Sequence, residues 1–175
     1  MRADDPLPGE VTLPVPLPLH GLTVELRRAT AQDVPAIVDL LAADQLGATR
    51  DGVSTDADLQ PYLRAFSTID ADPAHLLLVA TDSGQVVATM QVSYLPGLAR
   101  RGALRAQIEA VRVRQDHRGR GLGAALFGWA IEQAERRGCA LVQLTTDKSR
   151  TDAHRFYERL GFVASHQGLK LRLVR

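Results

Sequence analysis

From Leu22 to Arg27 apolar and polar residues alternate: Leu22, Val24 and Leu26 against Thr23, Glu25 and Arg27. A period of two predicts a half-buried strand. The period then lengthens. Thr30-x-x-Asp33 has the spacing of a helix start, and Val34, Ile37, Val38 and Leu41 follow at helical intervals. Leu59, Tyr62, Leu63, Phe66 and Ile69 predict a second amphipathic helix. Leu76–Thr81 and Gln85–Tyr94 read as strands joined by the turn Asp82-Ser83-Gly84, and Gln107–Val113 as a further strand. Leu122, Ala125, Leu126, Trp129, Ala130 and Gln133 define a longer helix that ends at Gly138. A buried strand over Leu141–Thr145 follows, then a short helix over Asp152–Leu160 closed by Gly161. Phe162–Ser165 and Leu169–Val174 predict a final strand pair around Gln167-Gly168. The sequence contains no internal repeat, and this order describes one mixed α/β domain.

Proline changes the picture at the N-terminus. Five of the nine prolines, Pro6, Pro8, Pro14, Pro16 and Pro18, fall in the first 20 residues. Repeated proline removes backbone donors, so residues 1–20 are expected to form a flexible or polyproline-like arm ahead of a domain over 21–175. Asp4 and Asp5 stand where a secretory leader would be basic, so the expected location is cytoplasmic.

Composition removes several classes of function. The 175 residues carry 21 basic and 20 acidic side chains, too even a balance for a general nucleic-acid binder. Aromatic residues make up 5%, leaving few rings on which to stack bases. No apolar run reaches the length of a membrane span. The single cysteine, Cys139, excludes an intrachain disulfide and a cysteine-based zinc site, and reads as a small buried hydrophobe. No close set of ligands marks any other metal site. Nineteen of the cations are Arg, with only Lys148 and Lys170 as lysines. Codon bias accounts for the total, but not for where the arginines cluster.

The chief chemical signal is Arg118-Gly119-Arg120-Gly121-Leu122-Gly123-Ala124, set between a strand and a helix. Glycines admit a ligand close to the backbone, and the unpaired first amides of the helix attract an anion such as a pyrophosphate. The same residues fit the dinucleotide pattern G-x-G-x-x-A. Too little chain follows for the further βαβ units that such a fold needs, and no acidic residue ends the next strand. A glycine-rich turn with no ligand is the third reading.

Val111-Arg-Val-Arg-Gln-Asp-His-Arg118-Gly-Arg-Gly121-Leu-Gly123 resembles motif A of the GNAT acetyltransferases, whose core is [Q/R]-x-x-G-x-[G/A]. Ala153-His-Arg-Phe156-Tyr157-Glu-Arg-Leu-Gly161-Phe162 is similar to the family's A-x-x-F-Y-x-x-x-G-F segment. The last third of the chain looks most like the aminoalkylphosphonate acetyltransferase branch. The resemblance implies a mixed α+β GNAT fold, with a mostly antiparallel sheet splayed at the cofactor and about four flanking helices. It implies acetyl-CoA as co-substrate, held by Val111, Arg112, Val113, Arg118, Gly119, Arg120, Gly121, Leu122, Gly123 and Ala124, with Phe156 shared between packing and the cofactor. Many members have Asn where this chain has Arg150, so Arg150 replaces that contact. The implied reaction is direct acetyl transfer to a primary amine of a small molecule in a ternary complex. The alternatives are a protein or peptide acetyltransferase and a silent acetyl-CoA-binding regulatory module. A homodimer is compatible with the resemblance, although no interface is legible in the sequence.

Attack by an amine requires loss of a proton, and departure of a thiolate requires its stabilisation. By resemblance Tyr157 is the acid, the other reading being a core-facing aromatic. Glu109 is the candidate base, an acidic residue in an apolar strand on the alternating face of Gln107 and Val111. Its other reading is a salt bridge to Arg105 or Arg155. Arg50, Arg100, Arg101 and Arg105 are candidates to hold an acidic acceptor, against solvated charge on loops. His154 and His166 read as structural or exposed.

Overall fold

The computed structural model describes residues 12–43, 51–171 and 173. One six-stranded sheet runs in sequence order: β1 (Val15–Leu19), β2 (Leu22–Arg28), β3 (His75–Asp82), β4 (Gln85–Leu95), β5 (Arg105–Val113) and β6 (Leu141–Leu144). All neighbours are antiparallel except β5 and β6, which are parallel. The helices are α1 (Val34–Ala42), α2 (Asp56–Asp70), the single turn α3 (Ala99–Gly102), α4 (Leu122–Arg136) and α5 (Thr151–Arg159).

Period-two burial divides the sheet into two faces. Val24, Leu26, Leu78, Met90, Val92 and Ile108 pack in one core with Leu122, Leu126 and Phe127 of α4. On the opposite face Val79 packs with Ala29 and Ile37, joined by Leu41 of α1 and Phe66 of α2. The entry to α1 is fixed by Asp33, which takes two hydrogen bonds from Arg27 at 2.8 and 2.9 Å and others from the Thr30 amide and hydroxyl.

Two expectations are corrected here. Residues 15–19 of the expected arm form β1, in register with β2 from Val15 opposite Leu26 to Leu19 opposite Leu22. An edge strand needs only every second N–H for its neighbour, and Pro14, Pro16 and Pro18 share one parity. The proline spacing that excludes a central strand thus suits an edge; residues 1–11 lie outside the described residues. The expected final pair, Phe162–Ser165 and Leu169–Val174, is not a strand pair among the described residues. Among the described residues four helices of nine residues or more flank the sheet, as expected, and Ala99–Gly102 adds a single turn in which Arg100 and Arg101 have φ of 55° and 61°.

Candidate active site

The sheet opens where β5 outruns its neighbour. β6 ends at Leu144, opposite Ile108, while β5 continues to Val113. Residues 109–113 therefore keep one strand edge with no β6 partner. Along the same stretch β5 bulges against β4: Glu109 stands opposite Gln91 and Arg112 opposite Thr89, two intervening residues facing one. Ala110 carries the distortion at φ 54°, a left-handed conformation that costs an L-residue about 1–2 kcal/mol. Bulges of this kind re-aim backbone and side chains beside functional sites. The bulge also corrects the face expected for Glu109. In register, Arg112 rather than Val111 follows Gln107 and Glu109.

The opened strand leads into the glycine loop. Gly119 and Gly121 lie at φ 75° and 85°, where glycine is the natural residue. Gly121 is the N-cap of α4, and no side chain caps the helix. The first intrahelical bond runs from the Ala125 amide to the Gly121 carbonyl at 3.0 Å, so the amides of Leu122, Gly123 and Ala124 have no helical acceptor. Leu122 is buried and anchors the turn, whereas Arg118 and Arg120 are exposed beside it. The Arg118 Nε donates to the Val113 carbonyl at 2.9 Å, and an Arg112 guanidinium nitrogen donates to the Val111 carbonyl at 2.8 Å.

A buried histidine holds this loop to the rest of the sheet. His117 has Nδ1 2.8 Å from Asp116 and Nε2 3.0 Å from Asp82 at the end of β3. Arg114 pairs with Asp116 through two hydrogen bonds at 2.8 and 3.0 Å. Arg114 and then His117 hold the Asp116 carboxyl well below the usual range; His117 and then Ser83 lower that of Asp82. The sequence presents His117 only as one residue of the motif, because its partner Asp82 lies 35 positions away.

Tyr157 stands in an aromatic cluster on α5, its ring 5.4 Å from those of Phe127 and Phe156 and 6.0 Å from that of Phe162. Both readings of this residue meet here: it is packed, and it is titratable. Burial pushes its hydroxyl above the usual tyrosine range, partly offset by the positive charge of Arg150 and Arg112. The Phe156 ring also lies under Gly123, whose absent Cβ would sit 3.6 Å from it.

The Glu109 side chain is exposed and makes no hydrogen bond or ion pair with a described residue. The salt-bridge reading is not realised: Arg155 pairs with Asp152. Arg105 opens β5 opposite Leu95 and Leu141, and Arg100 and Arg101 precede it. Four residues of strand, about 13 Å, separate Arg105 from Glu109, so β5 does not bring them together. Arg50 lies outside the described residues. His154 approaches the Asp147 carbonyl at 3.0 Å and His166 the Ser165 hydroxyl at 2.8 Å. Burial pushes the Cys139 thiol up. A polar pair was not legible in the sequence: Gln143 donates to Gln107 at 2.8 Å, two residues before Glu109 in β5.

An open strand edge continuous with an uncapped helix start suits an extended ligand ending in phosphates. Comparison with known proteins agrees. The profile of the acetyltransferase (GNAT) family matches residues 36–162, and the chain belongs to that family. It is 30% identical over 142 residues to the aminoalkylphosphonate N-acetyltransferase of Salmonella typhimurium, covering 81% of this chain and 86% of that one. A crystal structure described as a transcriptional regulator from Bacillus halodurans superposes with a TM-score of 0.81 and 46% identity, over 86% of this chain and 99% of that one. A putative acetyltransferase from Agrobacterium tumefaciens gives 0.71 and 31%, over 85% and 99%. The protein is an acetyl-CoA-dependent N-acetyltransferase of the GNAT fold.

Proposed function

We propose that the protein transfers the acetyl group of acetyl-CoA to the primary amine of a small molecule by direct attack in a ternary complex. The observation that carries this reading is the stretch of β5 over 109–113, which runs on beyond the end of β6 and leads through the glycine loop to the uncapped start of α4. Acetyl-CoA, when bound, supplies the activated acetyl thioester. The amides of Leu122, Gly123 and Ala124, with Arg118 and Arg120, hold its pyrophosphate, and Arg112 and Arg150 add charge nearby. Backbone groups of Val111 and Val113 align its extended arm along the opened strand. Gly119 and Gly121 let the backbone turn there, and Phe156 packs beneath Gly123.

Two side chains of this chain then move protons. The Glu109 carboxylate, exposed and without an ion-pair partner among the described residues, takes a proton from the incoming ammonium. The Tyr157 hydroxyl remains protonated at neutral pH and gives its proton to the departing sulfur. The similarity to an aminoalkylphosphonate N-acetyltransferase supports a small amine, acidic at its far end, as acceptor. Release of CoA across a panel of aminoalkylphosphonates, amino acids, polyamines and aminoglycosides tests this. Turnover with the first class and little with the last is expected.

The Bacillus structure's description as a transcriptional regulator favours a second reading, a module that binds acetyl-CoA without turnover. Binding alone does not separate the two. Saturating acetyl-CoA, at about 100 times its Kd, stabilises either by about 2.7 kcal/mol. Amine-dependent CoA release belongs only to the enzyme.

A further inference from the structure

The sheet face that carries Glu109 also carries a polar row. The register aligns His75 of β3, Ser93 of β4, Gln107 of β5 and Gln143 of β6 in one line across the strands. Side-chain bonds run along it. His75 Nδ1 lies 2.7 Å from the Ser93 hydroxyl, and the Gln143 amide donates to the Gln107 side-chain carbonyl at 2.8 Å. Two residues further along β5, Glu109 stands opposite Gln91. Ala106 and Ile108, of the other parity, belong to the core with α4, so Gln107 and Glu109 share the opposite face, the side of α1 and α2.

The bond from Gln143 decides which atoms this row offers. With its carbonyl taken, Gln107 presents the N–H groups of its amide, and its Nε2 meets no acceptor among the described residues. Such an end only donates. It suits an oxygen with lone pairs to spare, as on a phosphonate or carboxylate, and would leave a second ammonium unpaired. The strand rise places Gln107 about 7 Å from Glu109. Glutamine and glutamate have the same reach from Cα to polar tip, so that spacing carries over to their tips. An ammonium on Glu109 and an oxygen on Gln107 are then joined by about two or three carbons. Arg105 lies beyond that span, in a row with Leu95 and Leu141.

We infer that Gln107, oriented by Gln143, sets acceptor specificity: it binds an oxyanion held about two or three carbons from the reacting amine. The assignment rests on the proposed reaction, with Glu109 as the base. It gives the acidic end of the acceptor to a neutral amide, and not to Arg105. A one-carbon amino acid or aminophosphonate is too short to touch both residues, and a diamine of the right length meets donors alone.

The test is kcat/KM from CoA release, with aminoethylphosphonate, aminomethylphosphonate, diaminopropane and ethylamine compared in wild type, Gln107→Leu and Gln107→Glu. Ethylamine has no end group, so the ratio of aminoethylphosphonate to ethylamine isolates recognition of the oxyanion. The wild type should favour aminoethylphosphonate over the other three. Gln107→Leu should lower the ratio at least about tenfold, the worth of a hydrogen bond to a charged group. Gln107→Glu keeps the size of the side chain and an acceptor for Gln143, and should shift the preference to diaminopropane. A ratio unchanged in both variants overturns the assignment, as does a wild type that favours the one-carbon acceptor or the diamine. A general loss of folding would lower all four rates together and leave the ratio in place. CoA released from none of the amines would instead overturn the reaction on which the assignment rests.

Discussion

Replacing Tyr157 by Phe removes one oxygen and leaves the ring. The ring holds the contacts at 5.4 Å to Phe127 and Phe156 and at 6.0 Å to Phe162, and those are kept. Aromatic pairs are worth about 0.5–1.5 kcal/mol each, so stability should change by less than about 1 kcal/mol, or a few degrees in Tm. Loss of a positioned acid typically slows a reaction about 10²–10⁴-fold. Raised by burial, the hydroxyl keeps its proton throughout the neutral range, so the defect should be constant from pH 6 to 9. The assay is steady-state CoA release with acetyl-CoA and amine varied independently, beside a thermal melt. A kcat fall of about 10²-fold or more, with KM for acetyl-CoA within about threefold, is expected. Unchanged kcat with an unchanged melt would refute the role and leave Tyr157 as packing. A loss matched by a Tm drop of ten degrees or more would mean that the hydroxyl supports the fold.

Other substitutions separate the remaining roles. Glu109→Gln should lower kcat/KM for the amine about 10–100-fold near pH 7, with KM for acetyl-CoA unchanged; an unaltered kcat/KM would exclude the carboxylate as base. Gly121→Ala meets no atom within 4 Å, so its cost is conformational, about 1–2 kcal/mol in a melt. Gly123→Ala places its Cβ in ordinary contact with Phe156 and should leave the melt within about 1 kcal/mol while raising KM for acetyl-CoA about tenfold or more, if the phosphates approach that amide. Asp33, almost fully buried, is lowered from 3.8 to about 2, chiefly by its hydrogen bonds from Arg27. A depressed folded value stabilises above the ordinary pKa and is lost as pH falls. About 2 kcal/mol should therefore disappear between pH 4 and 2, and Asp33→Asn should abolish most of that slope in urea titrations.

What was legible in the sequence was what short-range pattern encodes. Alternation located β2, apolar runs and the turns between them located β3 to β6, and helical spacing located α1, α2, α4 and α5 to within a few residues. The glycine loop was legible because left-handed backbone at Gly119 and Gly121 demands the residue that marks it. Features set by pairing partners were not. Proline in β1 signals disorder until β2 supplies an edge to which alternate N–H groups can bond. The Ala110 bulge leaves no residue signature, since alanine ordinarily avoids positive φ, and so the register of Glu109 with Arg112 could not be read. The His117 clamp joins residues that only the fold brings together. At the C-terminus the alternation of Leu169, Leu171 and Leu173 suggested a strand, but residues 162–171 form none.

The central claim is amine-dependent acetyl transfer at the opened end of β5. Its most direct test is to incubate the purified chain with acetyl-CoA and an aminoalkylphosphonate, then measure free CoA and N-acetylated product in the same sample. The account predicts product and CoA in equal amounts, both dependent on the amine and both reduced at least about 10²-fold in Tyr157→Phe. Tight acetyl-CoA binding with no product from any amine of the panel would contradict it.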